Sequence, residues 1–236
     1  MRLGIMQPYF FPYLGYFSLL KHVDEFIILD DVQFIRHGWI ERNRILKPQE
    51  GWQYFSVPLQ KHSQKTLIRD IRINNSLEWK KKILAQLNHY KKALYYKEVC
   101  NLLEEIFEQD YESITELDMA CLKKTGEYLH IDTPIRLFSN MGIAIEPVRD
   151  ADEWALNICK AVNGADEYWN PPGGQSFFDK EKYDRAGIHL CFQQVELRQY
   201  AQNRKTFESG LSILDVMMFQ SPEQINKMLD VYELYE

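Results

Sequence analysis

Apolar and polar positions set up a regular rhythm in the first third of the chain. Arg2 to Met6 is a short apolar run suited to a buried strand, and Glu25 to Leu29 is a second, ending in Asp30-Asp31. Between them Gly15 to Lys21 can form about two turns of helix, while Gln7 to Gly15 is too broken by proline, glycine and aromatic residues for regular structure. Strand, loop, helix and strand predict a βαβ unit with parallel strands and a right-handed crossover. Trp52 to Leu59 alternates as a strand, and so does Leu67 to Ile73.

Helical spacing takes over from about residue 76 to residue 130. Ser76 is a candidate N-cap for a first helix carrying Trp79, Ile83, Leu87 and Tyr90. A second helix runs from about Lys97 to Gln109. A third starts near Ser113, with Leu117, Ala120, Cys121, Thr125 and Leu129 on one face. The α/β rhythm then returns. Strands are predicted at Ile135–Phe138, Ala165–Trp169 and Ile188–Gln193, and helices at Ala151–Asn163 and Lys180–Ala186. The tail predicts helices at Ile213–Phe219 and Pro222–Tyr232. The expected fold is α/β: one domain over residues 1–236 built on a mainly parallel, Rossmann-like three-layer sheet, with a helical subdomain at about residues 76–130.

Composition narrows the class. The chain has 236 residues, enough to bury a sizeable core, and a 45% hydrophobic content typical of an ordered globular protein. A net charge of −6 argues against general nucleic-acid binding. No apolar run approaches the roughly 20 residues of a membrane span, and no secretory signal pattern precedes the first strand. Cys100, Cys121, Cys159 and Cys191 are well separated and form no CxxC pair, so reduced thiols and a cytoplasmic location are expected. No histidine spacing typical of a metal site, no nucleophile elbow and no P-loop is present. Neither a metal nor a cofactor is assigned.

Candidate chemistry gathers where ligands bind in open α/β sheets, beyond the carboxyl ends of the strands. In the first loop, Gln7 is a polar amide placed straight after a buried strand. Tyr9, Tyr13 and Tyr16 offer hydroxyl donors and flat faces, and Phe10, Phe11 and Phe17 read as core. Gly15 opens a helix whose free N–H groups favour an anion. Asp30 and Asp31 are the candidate catalytic carboxylates, one expected to face the cleft and the other to cap a turn; Gln33 follows them. Arg42 and Arg44 share one face of a strand and form a possible clamp for phosphate or carboxylate, with Asn43 on the other face. Lys65 lies in a polar loop suited to closing over an anion. Gly173 and Gly174 allow close backbone approach after a predicted strand. The implied partner is an anionic small molecule, most simply one bearing phosphate.

Two resemblances add to this reading. A strand, then Phe-Pro-x-x-Gly-x, then a helix is similar to the HxGH loop of the HIGH-type nucleotidyltransferases, with Tyr13 and Tyr16 in the places of the two histidines. A longer set of blocks covers nearly the whole chain: Met6 to Phe17, Asp30-Asp31-Val32-Gln33-Phe34, Trp39 to Ile45, Pro172-Gly173-Gly174, and Leu211-Ser212-Ile213-Leu214-Asp215. Together they resemble the WbqC-like protein family. That resemblance implies a place in bacterial surface-polysaccharide (O-antigen) biosynthesis and a transferase acting on a nucleotide-linked sugar, with aminoacyl (glycyl) transfer the specific reaction. Nucleotidyl transfer and a non-catalytic nucleotide-sugar binding protein are the alternatives.

Overall fold

The computed structural model describes residues 1–236. The opening unit forms as its patterning predicts: β1 (Arg2–Met6), α1 (Leu14–His22) and β2 (Glu25–Ile28), with Leu3 to Met6 paired in parallel against Glu25 to Ile28. A hairpin of β3 (Arg42–Leu46) and β4 (Trp52–Ser56) stands apart as its own two-stranded sheet. Further along come β5 (Ile135–Leu137), β6 (Glu167–Asn170), β7 (His189–Val195) and β8 (Tyr232–Tyr235). The main sheet runs β5-β2-β1-β6-β7-β8 and is parallel throughout except for β8, which pairs antiparallel with β7. The chain builds outward from β1 on one side, then returns to build outward on the other. Strand order therefore reverses between β1 and β6, where a crevice for ligands opens in sheets of this kind.

Strand alternation divides the core in two. Leu3, Ile5, Ile27, Tyr168, Leu190 and Phe192 turn to one face, under α5 (Glu153–Ala161) and α6 (Lys180–Arg185). Phe26, Ile28, Trp169 and Cys191 turn to the other, under α1 and α8 (Pro222–Leu229). This second core continues without a break into α2 (Trp79–Gln86), α3 (Tyr96–Phe107), α4 (Ile114–Tyr128), α7 (Ile213–Phe219) and the β3–β4 hairpin. The result is a mixed α/β protein whose helical region shares the sheet's own core. No helix is long and apolar enough to cross a membrane.

Three elements differ from the sequence expectation. Leu67–Ile73 is not a strand but a 3₁₀ turn at Ile68–Asp70 flanked by isolated bridges, because the buried positions are Ile68, Ile71 and Ile73 rather than alternate residues. Ser76 does not cap α2: its hydroxyl turns back to Asn74 Oδ1, and the helix begins at Trp79. The last helix stops at Leu229, and Tyr232–Tyr235 becomes the antiparallel edge strand. Ser113 does cap α4, in a full capping box with Glu116.

Candidate functional site

The loop between β1 and α1 is held on three sides. Phe10 and Phe11 are fully buried, which anchors it to the core. Asn43, inside β3, donates from Nδ2 to the carbonyls of both Phe10 (3.1 Å) and Phe11 (2.9 Å), and the Ser212 hydroxyl donates to Phe11 as well, at 2.7 Å. The Phe10 amide donates to the Trp39 carbonyl. Phe11 itself has a φ of 42°, a left-handed conformation uncommon for a bulky residue, and these contacts hold it there. Asn43 therefore acts through the loop: its amide is fully engaged by main chain, including the Arg44 N–H bonded to its Oδ1.

Gly15 has a packing role beside its place at the helix start. It lies in the first turn of α1, and a Cβ there would stand 2.5 Å from Cε2, Cζ and Oη of Tyr13. The missing side chain makes room for the Tyr13 ring, which folds over the helix start. Tyr16 is buried, donates its hydroxyl to the Gln7 carbonyl at 2.9 Å, and lies 5.6 Å from the Tyr9 ring. Burial raises the pKa of Tyr9, Tyr13 and, most strongly, Tyr16, so all three phenols stay protonated donors at neutral pH.

The two aspartates separate in role. Asp30 is 1% exposed and accepts from the Ser139 amide (3.0 Å) and hydroxyl (2.6 Å), tying the end of β2 to the turn after β5. Asp31 is more open, its side chain 28% exposed, and pairs with Arg69 at 2.9 Å. That contact is close but poorly directed, since Asp31 Oδ1 is buried without a well-aligned hydrogen bond. Gln33 donates to the Gln64 carbonyl and so holds the exposed loop that carries Lys65.

The two arginines are occupied by their own chain. Arg42 donates to the His37 and Gly38 carbonyls and lies over the Tyr54 ring at 4.1 Å. Arg44 donates to Gly210 at 2.9 Å and stacks against Trp39 and Trp52, leaving its buried Nε without a partner. In this arrangement they brace loops instead of forming an open clamp.

At the reversal itself, β6 ends in Asn170, and a Cβ on Gly174 would lie 3.1 Å from the Asn170 Nδ2. Gly173 and Gly174 belong to a 3₁₀ segment, Pro172–Phe177. The side-chain amides of Gln7 and Asn170 and the hydroxyls of Tyr9 and Tyr13 make no hydrogen bond within the chain, yet none is sealed from solvent. Uncommitted polar groups thus flank both strands where the order reverses. A cavity of about 470 Å³ lies elsewhere, between α2 and α3, and is lined by none of these residues.

Two buried carboxylates escaped the sequence reading. Asp118, on α4, is 0% exposed, and neither oxygen has a hydrogen-bond partner. Burial raises its pKa well above the usual range, and the nearby Glu41 charge adds to the shift. Its charge also acts on Tyr16. The signal was an acidic residue in line with Ile114, Cys121 and Thr125 on an otherwise buried helix face. Asp215 is buried but satisfied: Tyr200 (2.5 Å), Tyr90 (2.6 Å) and Gln202 (2.9 Å) all donate to it. Burial raises its pKa, opposed by those bonds and by the charge of Arg204.

A mostly parallel sheet whose order reverses beside unengaged polar groups defines a mixed α/β protein. The chain belongs to the WbqC-like protein family, whose model matches residues 7–227. It is similar to the uncharacterized protein Rv1507c of Mycobacterium tuberculosis (strain ATCC 25618 / H37Rv), with 32% identity over 222 residues, covering 92% of each chain. No solved structure gives a significant match.

Proposed function

We propose that this protein is a transferase of bacterial surface-polysaccharide precursor assembly, acting on a nucleotide-linked sugar, with aminoacyl (glycyl) transfer the specific reaction. One observation carries the site: the free amides of Gln7 and Asn170 flank the reversal between β1 and β6. The order β5-β2-β1-β6-β7-β8 follows that of Rossmann-like dinucleotide-binding sheets, which supports a nucleotide at this edge. Gln7, Asn170, Tyr9 and Tyr13 would bind sugar and ribose hydroxyls, and the Gly173–Gly174 backbone would approach the phosphates. Arg69, bonded to the end of β2, supplies positive charge near that edge. In acyl transfer an acceptor hydroxyl or amine attacks the activated carbonyl, its proton passes to Asp31, and the leaving group departs with its electron pair.

The test is a thermal-shift and turnover survey of nucleotide-sugars with activated aminoacyl donors. Gln7→Ala and Asn170→Ala should abolish the ligand-dependent shift while leaving the ligand-free melting temperature in place. Asp31→Asn should keep binding and lose turnover. No shift with any nucleotide-sugar overturns the reading. Binding without turnover favours the second reading, a nucleotide-sugar binding protein. Nucleotidyl transfer has less behind it, because the Tyr16 hydroxyl is buried on the Gln7 carbonyl and does not reach a phosphate.

A further inference from the structure

At the opposite, amino-terminal edge of the same sheet stands a second group of chemically capable residues. Glu167 opens β6 and His189 opens β7, and the two are direct partners in the parallel ladder. Cys191 lies two residues beyond His189, so strand alternation returns it to the same face. The Glu167 carboxylate, a ring nitrogen of His189 and the Cys191 sulfur all lie within 4.8 Å of one another. Neighbouring contacts orient Glu167 and His189. The Trp169 indole donates to Glu167 Oε2 at 2.8 Å, which leaves Oε1 free. Glu236 Oε1 lies 3.2 Å from His189 Nε2. A carboxylate there holds the proton on Nε2, so Nδ1 keeps its lone pair, and a histidine so oriented is the usual form of a metal ligand.

We propose that Glu167, His189 and Cys191 form a binding site for a divalent transition ion of the zinc class, which clasps β6 to β7. The spacing fits that class. A tetrahedral ion with Zn–N near 2.05 Å and Zn–S near 2.3 Å sets nitrogen and sulfur about 3.5 Å apart, and His189 Nδ1 and Cys191 Sγ are 3.5 Å apart. One thiolate, one imidazole and one carboxylate suit zinc, whereas a hard magnesium or calcium ion would require an all-oxygen set. The fourth position is left to water. Access suits loading from solution: Cys191 is 4% exposed, but the His189 side chain is 47% exposed. Binding exchanges a proton for the ion. The Cys191 S–H now directed at Nδ1 loses its proton to solvent, and the sulfur and nitrogen lone pairs both pass to the metal. The site stands apart from the β1/β6 edge and does not depend on the function proposed there.

Cobalt(II) titrated into the full reduced chain is the direct probe, because thiolate ligation adds a charge-transfer band to the tetrahedral d–d bands. One equivalent should saturate the signal, release about one proton and be displaced by zinc(II). Zinc should also raise the melting temperature. Cys191→Ser should remove the charge-transfer band, and His189→Ala, at a more open position, should weaken binding tenfold or more. Cys100→Ser, on α3, should leave the titration unchanged. Absence of a thiolate band in the wild-type chain under a large excess of cobalt overturns the site, and so does a band that survives Cys191→Ser.

Discussion

Asn43 and Phe11 are 32 positions apart and joined by one hydrogen bond of 2.9 Å, from the Asn43 amide to the Phe11 carbonyl. Through it a strand of the outlying hairpin fixes the conformation of the loop that follows β1. Asn43→Ala strips the Phe10 carbonyl of its Asn43 donor, leaves the Phe11 carbonyl with Ser212 alone and loosens a residue held at positive φ. The expected loss is about 2–4 kcal/mol of stability, read by urea unfolding. Asn43→Asp should fare no better, since a carboxylate facing carbonyls offers no donor. A wild-type unfolding midpoint for either variant would remove Asn43 from this role.

The Tyr13–Gly15 pair gives a sharper test. Gly15→Ala puts a Cβ into the Tyr13 ring and should cost about 1–3 kcal/mol by overpacking. In a Tyr13→Ala background the same change should be neutral or stabilising by up to about 1 kcal/mol, because alanine is the better helix former once the ring is gone. A double-mutant cycle by thermal melting reports the coupling. Additive losses would place the need for glycine in the backbone, not in the ring.

Asp118 makes stability depend on pH. Its folded pKa is raised, so above the unfolded value of about 3.9 the folded state holds more protons than the unfolded state. Stability must then fall as pH climbs through the interval between the two values, by up to about 1.4 kcal/mol per pH unit. Asp118→Leu keeps the shape and removes the carboxyl. It should be more stable than wild type by a margin that widens from about pH 4 upward. Chemical denaturation at several pH values measures it. A margin that stays constant with pH would show that the carboxyl titrates normally.

Replacing Asp215 should act in the opposite direction to Asp118→Leu, lowering stability. Asp215→Ala strips an acceptor from Tyr90, Tyr200 and Gln202 and should cost about 3 kcal/mol or more. Tyr90→Phe breaks two links at once, since the same hydroxyl also accepts from the Leu46 amide. Its loss should be about 1–3 kcal/mol, and the double variant should lose less than the sum.

Backbone architecture was largely legible in the residues. Apolar runs ending in Met6, Leu29 and Trp169 marked the parallel strands, and the positions of their ends marked the edge where polar groups gather. Leu67–Ile73 misled because seven residues sample too few turns to separate a two-residue period from Ile68/Ile71 spacing. The helix predicted to Tyr232 overran by three residues, because Asp230, Val231 and Tyr232 carry no glycine or proline to mark its end at Leu229. Side-chain roles were harder to read. Asparagine and arginine announce hydrogen-bonding capacity, but Asn43, Arg42 and Arg44 direct it at main-chain carbonyls from distant segments. Asp118 was hidden in an amphipathic helix. His189 and Cys191 have no motif spacing as sequence, and they come together with Glu167 only once strands β6 and β7 pair.

The Ser212 hydroxyl that holds Phe11 comes from 201 positions further along the chain. The loop after β1 is therefore synthesised well before one of the groups that fixes it. Contacts of such separation slow folding, and until residue 212 is available the loop lacks one of the partners that hold its shape. A growing or truncated chain can form β1, α1 and β2 locally without this edge in working order. The shape of that loop thus depends on a segment far along the chain: it is complete only once Ser212 has docked.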